Sequence, residues 1–211
     1  MIGIIDYGMG NLRSVQNALQ SLGFPTSVIT DPAAAADCGH LILPGVGAFA
    51  NAADNLRRLG FDTALRNHVA EGKPLLGICL GMQLFASRGQ EPYPSEGLGL
   101  IPGEVIPLEL PAPFKIPHVG WNNLQHRRSH PVFEGIKKTI DFYFVHSYHF
   151  VTENPEDQLT LSNCAAEFVS TVAKGSIVGV QFHPEKSQDN GLKLLENFCV
   201  WDGRLEDDSA V

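Results

Sequence analysis

The sequence predicts an α/β fold with a mixed, mainly parallel central sheet flanked by helices and an additional antiparallel portion in the second half. Three observations carry that prediction. Short apolar runs alternate with amphipathic stretches through the first eighty residues. One run ends in a tight turn flanked by Gly77 and Gly81. From Gly97 onward proline and glycine become frequent, and strand-like runs follow one another without intervening helices.

Residues 2–5 form a short apolar run of the kind buried in a parallel sheet. The Gly8-Met9-Gly10 turn leads into a helix in which Leu12, Val15, Leu19 and Leu22 share one face, closed by Gly23. A second strand at 27–29 precedes Asp31-Pro32, where a capping acid and a first-turn proline predict a helix start. The third strand, 41–43, runs into Pro44-Gly45-Val46-Gly47. Helices near 51–59 and 61–71 lead to the strand before Cys79, and 82–85 reads as helical. In the second half, 141–148, 158–162, 168–173 and 177–182 read as strands, with Lys174-Gly175 as a turn. A closing helix over 191–200 places Leu192, Leu195 and Phe198 or Cys199 at helical spacing. One domain accounts for residues 1–211, and from about 202 the chain reads as a flexible acidic tail through Glu206-Asp207-Asp208.

With 211 residues, 44% hydrophobic and 18% charged, the chain suits one globular domain with a full core. A net charge of -8 argues against nucleic acid as the main ligand, the basic cluster being the short Arg127-Arg128. Cys38, Cys79, Cys164 and Cys199 are widely separated, with no CxxC pair, so neither a disulfide framework nor a zinc site is expected, and reduced thiols fit a cytoplasmic location. His118, His126, His130, His146 and His149 crowd one region without acidic partners at ligand spacing, so no metal is expected there. Neither a basic leader nor a membrane-length apolar stretch is present, which predicts no membrane partner.

Cys79 is the residue best placed for covalent chemistry. A strand-to-helix turn this tight lifts its central side chain over the sheet edge, and glycines on both sides let the backbones pass closely. The following helix start aims free N–H groups at the sulfur and favours the thiolate. An unperturbed thiol, with a pKa near ~8.5, is only a few per cent ionised at neutral pH, so a base is needed. His183, at the end of the apolar run 177–180, can reach the same sheet edge, and Glu185 two residues on can orient its ring. The residue after an elbow nucleophile usually supplies an oxyanion donor, here the Leu80 amide.

Plainer readings stand beside these. A single buried cysteine is more often a small core residue, the reading given to Cys38, Cys164 and Cys199. Gly8-Met9-Gly10 lacks the third glycine of a dinucleotide loop, since position 13 is Arg13. Trp121 reads equally well as a core aromatic.

The motifs GICLGMQ (77–83) and QFHPE (181–185) resemble those of the class I glutamine amidotransferases with a Cys-His-Glu triad, a flavodoxin-like fold with a nucleophile elbow. DYGMGNLRSV (6–15), LPGVGAF (43–49), KIPHVGWN (115–122) and YFVHSY (143–148) resemble the branch formed by the glutaminase subunits of imidazole glycerol phosphate synthases. The resemblance spans nearly the whole chain. It implies Cys79 as nucleophile, His183 as base and then acid, and Glu185 as the group fixing the imidazole. It also implies a second oxyanion donor at Val46, and glutamine held by Gly45, Gly47, Gln83, Ser147 and Tyr148, with His146 packed beside them. Asn11, Trp121, Tyr143 and Lys186 match positions near the face that meets a (β/α)8 synthase subunit in a heterodimer, across which ammonia passes. No cofactor is implied. Val119 departs from the methionine common in related sequences, and 90–96 and 108–114 match no motif. Other readings on the same fold are a glutaminase feeding another synthase, such as the pyridoxal phosphate system, a γ-glutamyl hydrolase, and a catalytically idle scaffold.

Overall fold

A computed structural model describes residues 1–137 and 140–205. The first half is a series of parallel crossovers. β1 (Ile2–Ile5) is buried at all four positions, and α1 (Leu12–Ser21) packs Val15, Ala18 and Leu19 inward. β2 (Thr26–Ile29), β3 (His40–Gly45), α2 (Phe49–Leu59), α3 (Phe61–Ala70) and β4 (Leu75–Cys79) follow. Asp31 does accept a backbone N–H, from Ala33, but the helix it starts is 3-10, Pro32–Asp37. Ten residues separate β2 from β3, and the six of them that are helical are too few for an amphipathic α-helix.

After Cys79 the helical stretch begins two residues earlier than the expected 82–85 and is equally short. α4 (Leu80–Gln83) is a single turn, and the chain then tightens through bonds from Phe85 to Met82 and from Ala86 to Gln83. So short a helix offers backbone N–H groups to the sulfur but little summed dipole. Two-residue strands β5 (Arg88–Gly89) and β6 (Ser95–Glu96) then join β7 (Gly103–Pro107). β8 (His118–Asn123) and β9 (Gln125–His126) follow.

The run 141–148 is not one strand. It divides at Ser147 into β10 (Asp141–His146), which pairs antiparallel with β8, and β11 (Tyr148–Thr152), which pairs antiparallel with β7 in a separate four-stranded sheet. β12 (Gln158–Asn163), β13 (Glu167–Lys174), β14 (Ile177–Val180) and α5 (Gln188–Val200) complete the chain. Past α5, the Trp201 indole donates to the Arg204 carbonyl at 2.6 Å. The acidic run 206–208 lies outside the described residues.

The main sheet has the order β2-β1-β3-β4-β14-β13-β12-β9, its first five strands parallel and its last three antiparallel. Two apolar cores cover its faces. One gathers Phe49, Leu56, Phe61 and Leu65 from α2 and α3; the other gathers Val15, Leu19, Leu194, Leu195 and Phe198 from α1 and α5. Each fully buried side chain of this size contributes about 1.5–3 kcal/mol. Register then sets the site. Gly45 lies opposite Cys79 and Val180 opposite Ile78, so the carboxyl ends of β3, β4 and β14 converge at one edge.

Candidate active site

Cys79 closes β4 with φ 55 and ψ -110, a left-handed backbone that an ordinary residue adopts at a cost of about 1–3 kcal/mol. Close packing holds it there. A Cβ on Gly81 would collide with the Leu43 carbonyl, and one on Gly77 would stand 2.6 Å from Phe85 Cζ. The side chain is nearly buried, its sulfur reached by groups from several elements.

His183 is anchored through its backbone. Its N–H donates to the Tyr143 carbonyl at 2.9 Å, while Ser187 Oγ donates to the His183 carbonyl at 2.7 Å and accepts from the Tyr143 N–H at 3.0 Å. The imidazole Nδ1–H donates to Glu185 Oε1 at 2.8 Å, with the two side chains 3% and 1% exposed. Nε2 is buried and has no hydrogen-bond partner of good geometry among the described residues. Burial alone would lower the imidazole pKa, yet the Cys79 sulfur and the Glu185 carboxylate together raise it to about 9. Both groups therefore favour the protonated imidazolium over the neutral ring.

The sulfur has two further neighbours. Gln181 Nε2 donates to it at 3.7 Å, and a thiol hydrogen can reach the Val145 carbonyl at 3.8 Å. Behind Gln181, Gln83 Nε2 donates both to Gln181 Oε1 and to the Tyr148 carbonyl, each at 3.0 Å. His146 Nδ1–H also donates to the Tyr148 carbonyl, at 2.9 Å, so its Nε2 is the acceptor for His118 Nδ1–H at 2.9 Å. Burial lowers the His146 pKa to about 3 and lowers that of His118 as well.

Other expected site residues fall around this edge. Leu80 opens α4, with its N–H beside Cys79 and its side chain buried. Gly45 ends β3 in close contact: a Cβ there would stand 2.8 Å from both Gly81 N and Leu80 Cβ. Val46 follows with 45% exposure, and Gly47 has φ +108. Ser147, half-buried, accepts the Leu108 N–H at 2.9 Å.

Asn11 is the N-cap of α1, its side chain accepting the Ser14 N–H at 3.4 Å. Trp121 is 48% exposed and therefore not a core aromatic; it lies opposite Tyr143 in the β8–β10 ribbon, ring centroids 5.8 Å apart. Lys186 is exposed immediately after Glu185.

Sequence reasoning assigned no role to Gln181, Val145 or Tyr7. Gln181 sits inside a quoted motif, but its contact with sulfur depends on strand register. The Tyr7 hydroxyl is buried without a partner among the described residues, 2.7 Å from where a Gly45 Cβ would stand, and burial and the Cys79 charge raise its pKa. The remaining cysteines are unpaired, and burial raises the thiols of Cys38 and Cys164 and pushes Cys199 up to about 12. Among the described residues no three His, Cys, Asp or Glu side chains form a group that could hold a metal, and no helix is long and apolar enough to cross a membrane. A cleft lined by Gly39, Lys73, Lys174 and Arg204 lies at the opposite ends of the strands and contains none of this chemistry.

The family model for class-I glutamine amidotransferases matches residues 3–201. The chain is 48% identical over 196 residues to the imidazole glycerol phosphate synthase subunit HisH of Aquifex aeolicus, covering 92% of this chain and 94% of that one. It is 48% identical over 211 residues to the same-named subunit of Desulfitobacterium hafniense, covering 100% and 98%. In fold it is similar to the solved structure of PurLQS from Thermotoga maritima, with a TM-score of 0.73 at 19% identity, covering 94% of this chain and 96% of that chain.

Proposed function

The chain belongs to the class-I glutamine amidotransferases, and from that premise we propose that it is the glutaminase subunit of an imidazole glycerol phosphate synthase. It hydrolyses glutamine to glutamate and ammonia and passes the ammonia to a (β/α)8 synthase partner in a heterodimer. The reading is carried by a strained cysteine whose sulfur interacts with an imidazole that a buried carboxylate holds through Nδ1. Its support as to branch is the 48% identity to HisH subunits over nearly the full chain. Four unpaired cysteines fit a reducing cytoplasm.

In this mechanism His183 Nε2 holds the proton taken from the Cys79 thiol, and the sulfur attacks the side-chain carboxamide carbon of glutamine. Negative charge develops on the amide oxygen, where the Leu80 and Val46 N–H groups serve as donors; losing one such donor typically costs about 3 kcal/mol in barrier. His183 gives its proton to the departing nitrogen, ammonia leaves, and a glutamyl thioester remains. Water then attacks that thioester with His183 as base, releasing glutamate and restoring the thiol. Glu185 keeps Nδ1 protonated, so Nε2 faces the reaction throughout. Gly45, Gly47, Gln83, Ser147 and Tyr148 hold the amino and carboxylate ends of the substrate.

Cys79→Ala tests the assignment. In complex with the synthase subunit it should lose glutamine-dependent synthesis by at least ~10³-fold while keeping synthesis from ammonium salts. Equal loss of both activities would count against it.

A further inference from the structure

Gln181 has no part in the mechanism above, yet its side chain lies between Gln83 and the nucleophile. It is fully buried, and a buried primary amide needs a partner for each end. Oε1 accepts from Gln83 Nε2 at 3.0 Å, and Nε2 is aimed at Cys79 Sγ at 3.7 Å. The sheet delivers this contact. Val180 is paired with Ile78, so the next residue leaves the ladder beside the end of β4, where Cys79 stands. The Gln181 N–H donates to the Ser170 carbonyl at 2.9 Å, which fixes its backbone to β13.

The two contacts of the sulfur act in opposite senses. A bond to the Val145 carbonyl exists only while the sulfur carries hydrogen, and so favours the thiol. A bond from the Gln181 amide strengthens when its acceptor becomes an anion, since charge-assisted hydrogen bonds are roughly twice as strong as neutral ones. Transfer of the proton from Sγ to His183 Nε2 therefore gives up the first and reinforces the second.

We infer that Gln181 is a catalytic residue, its amide hydrogen-bonding the Cys79 thiolate, and that Gln83 is the positioning residue that keeps the donor end of that amide on the sulfur. Were the Gln181 amide turned over, its carbonyl would face the anion. Gln83 forbids the turn, because its Nε2 is a donor only and already bridges the Tyr148 carbonyl and Gln181 Oε1. Gln83 thus joins the glutamine pocket to the nucleophile through one intervening side chain. The inference rests on the proposed role of Cys79.

The test compares iodoacetamide alkylation of Cys79, followed by peptide mass spectrometry, at pH 7 and at about pH 10.5, about two units above the ordinary value for a thiol. In Gln181→Met the ratio of the two rates should fall at least about threefold below wild type, and glutamine turnover in the synthase complex should fall about tenfold with a smaller change in KM. A smaller fall in the alkylation ratio overturns the inference, whatever happens to turnover. Should Gln181→Met fail to fold, Gln181→Asn, which keeps the amide but withdraws it by one methylene, is read by the same criterion. Alkylation requires no glutamine, so it reports on Gln181 separately; a wild-type complex without Cys79-dependent glutamine hydrolysis would instead sink the proposed function.

Discussion

At the scale of single residues, His183 ties the chemistry to stability. Its pKa stands at about 9 against an ordinary value of 6.5, the sulfur and Glu185 having outweighed burial. A group whose folded value is raised lends stability in full below the unfolded value and loses it as pH climbs through the folded one. Urea denaturation of the free chain should therefore show stability declining between about pH 6.5 and pH 9. In Cys79→Ala the imidazole keeps Glu185 but loses the sulfur, so the decline should flatten; an identical slope in both proteins would refute the coupling. The three residues of this cluster were legible in sequence because each carries a local mark: glycines flanking Cys79, and a carboxylate two positions after a histidine that ends an apolar run. Gln181 and Val145 carry no such mark. Their contacts with the sulfur arise from strand register and from a ribbon folded over the edge, neither of which spacing along the chain encodes.

At the scale of elements, the strand–turn–helix around Cys79 is the least tolerant part of the fold. Gly81 lies so near the Leu43 carbonyl that even a methyl group has no room, and the obstacle is backbone of β3, which cannot swing aside as a side chain can. Gly81→Ala should cost on the order of 3 kcal/mol, the upper part of the range for overpacking. For a domain of this size that corresponds to a fall in Tm of roughly 6–12 °C, readable by thermal denaturation; a Tm within ~2 °C of wild type would show that β3 and β4 can part without penalty. Short but strongly apolar elements such as β4 and β14 were readable from sequence because burial on both faces leaves little choice of residue. β5 and β6 were not, since two residues cannot display a period. The division at Ser147 was hidden for a different reason: the run from Asp141 to Thr152 keeps a strand-like composition while the chain passes from one sheet to another.

At the scale of the whole molecule, one surface lacks the polarity expected of an acidic chain. The β8–β10 ribbon has only two strands, and its outer face presents Val119 and Trp121, 56% and 48% exposed, two residues apart on the same side of β8. The same ribbon supplies the Tyr143 backbone that holds His183 and the Val145 carbonyl beside the sulfur, so a protein seated on it would bear directly on the reaction centre. An exposed tryptophan against a tyrosine is the kind of anchor from which interfaces draw much of their affinity, often about 2 kcal/mol or more on truncation. Trp121→Arg should accordingly weaken binding to the synthase subunit about thirtyfold or more, measured by calorimetric titration. Because the side chain already faces solvent, the free variant should unfold within a few degrees of wild type, and its Cys79 should react with a glutamine analogue at a comparable rate. Unchanged affinity in a folded, reactive Trp121→Arg protein would place the partner on another face and leave the exposed ribbon without an assigned occupant.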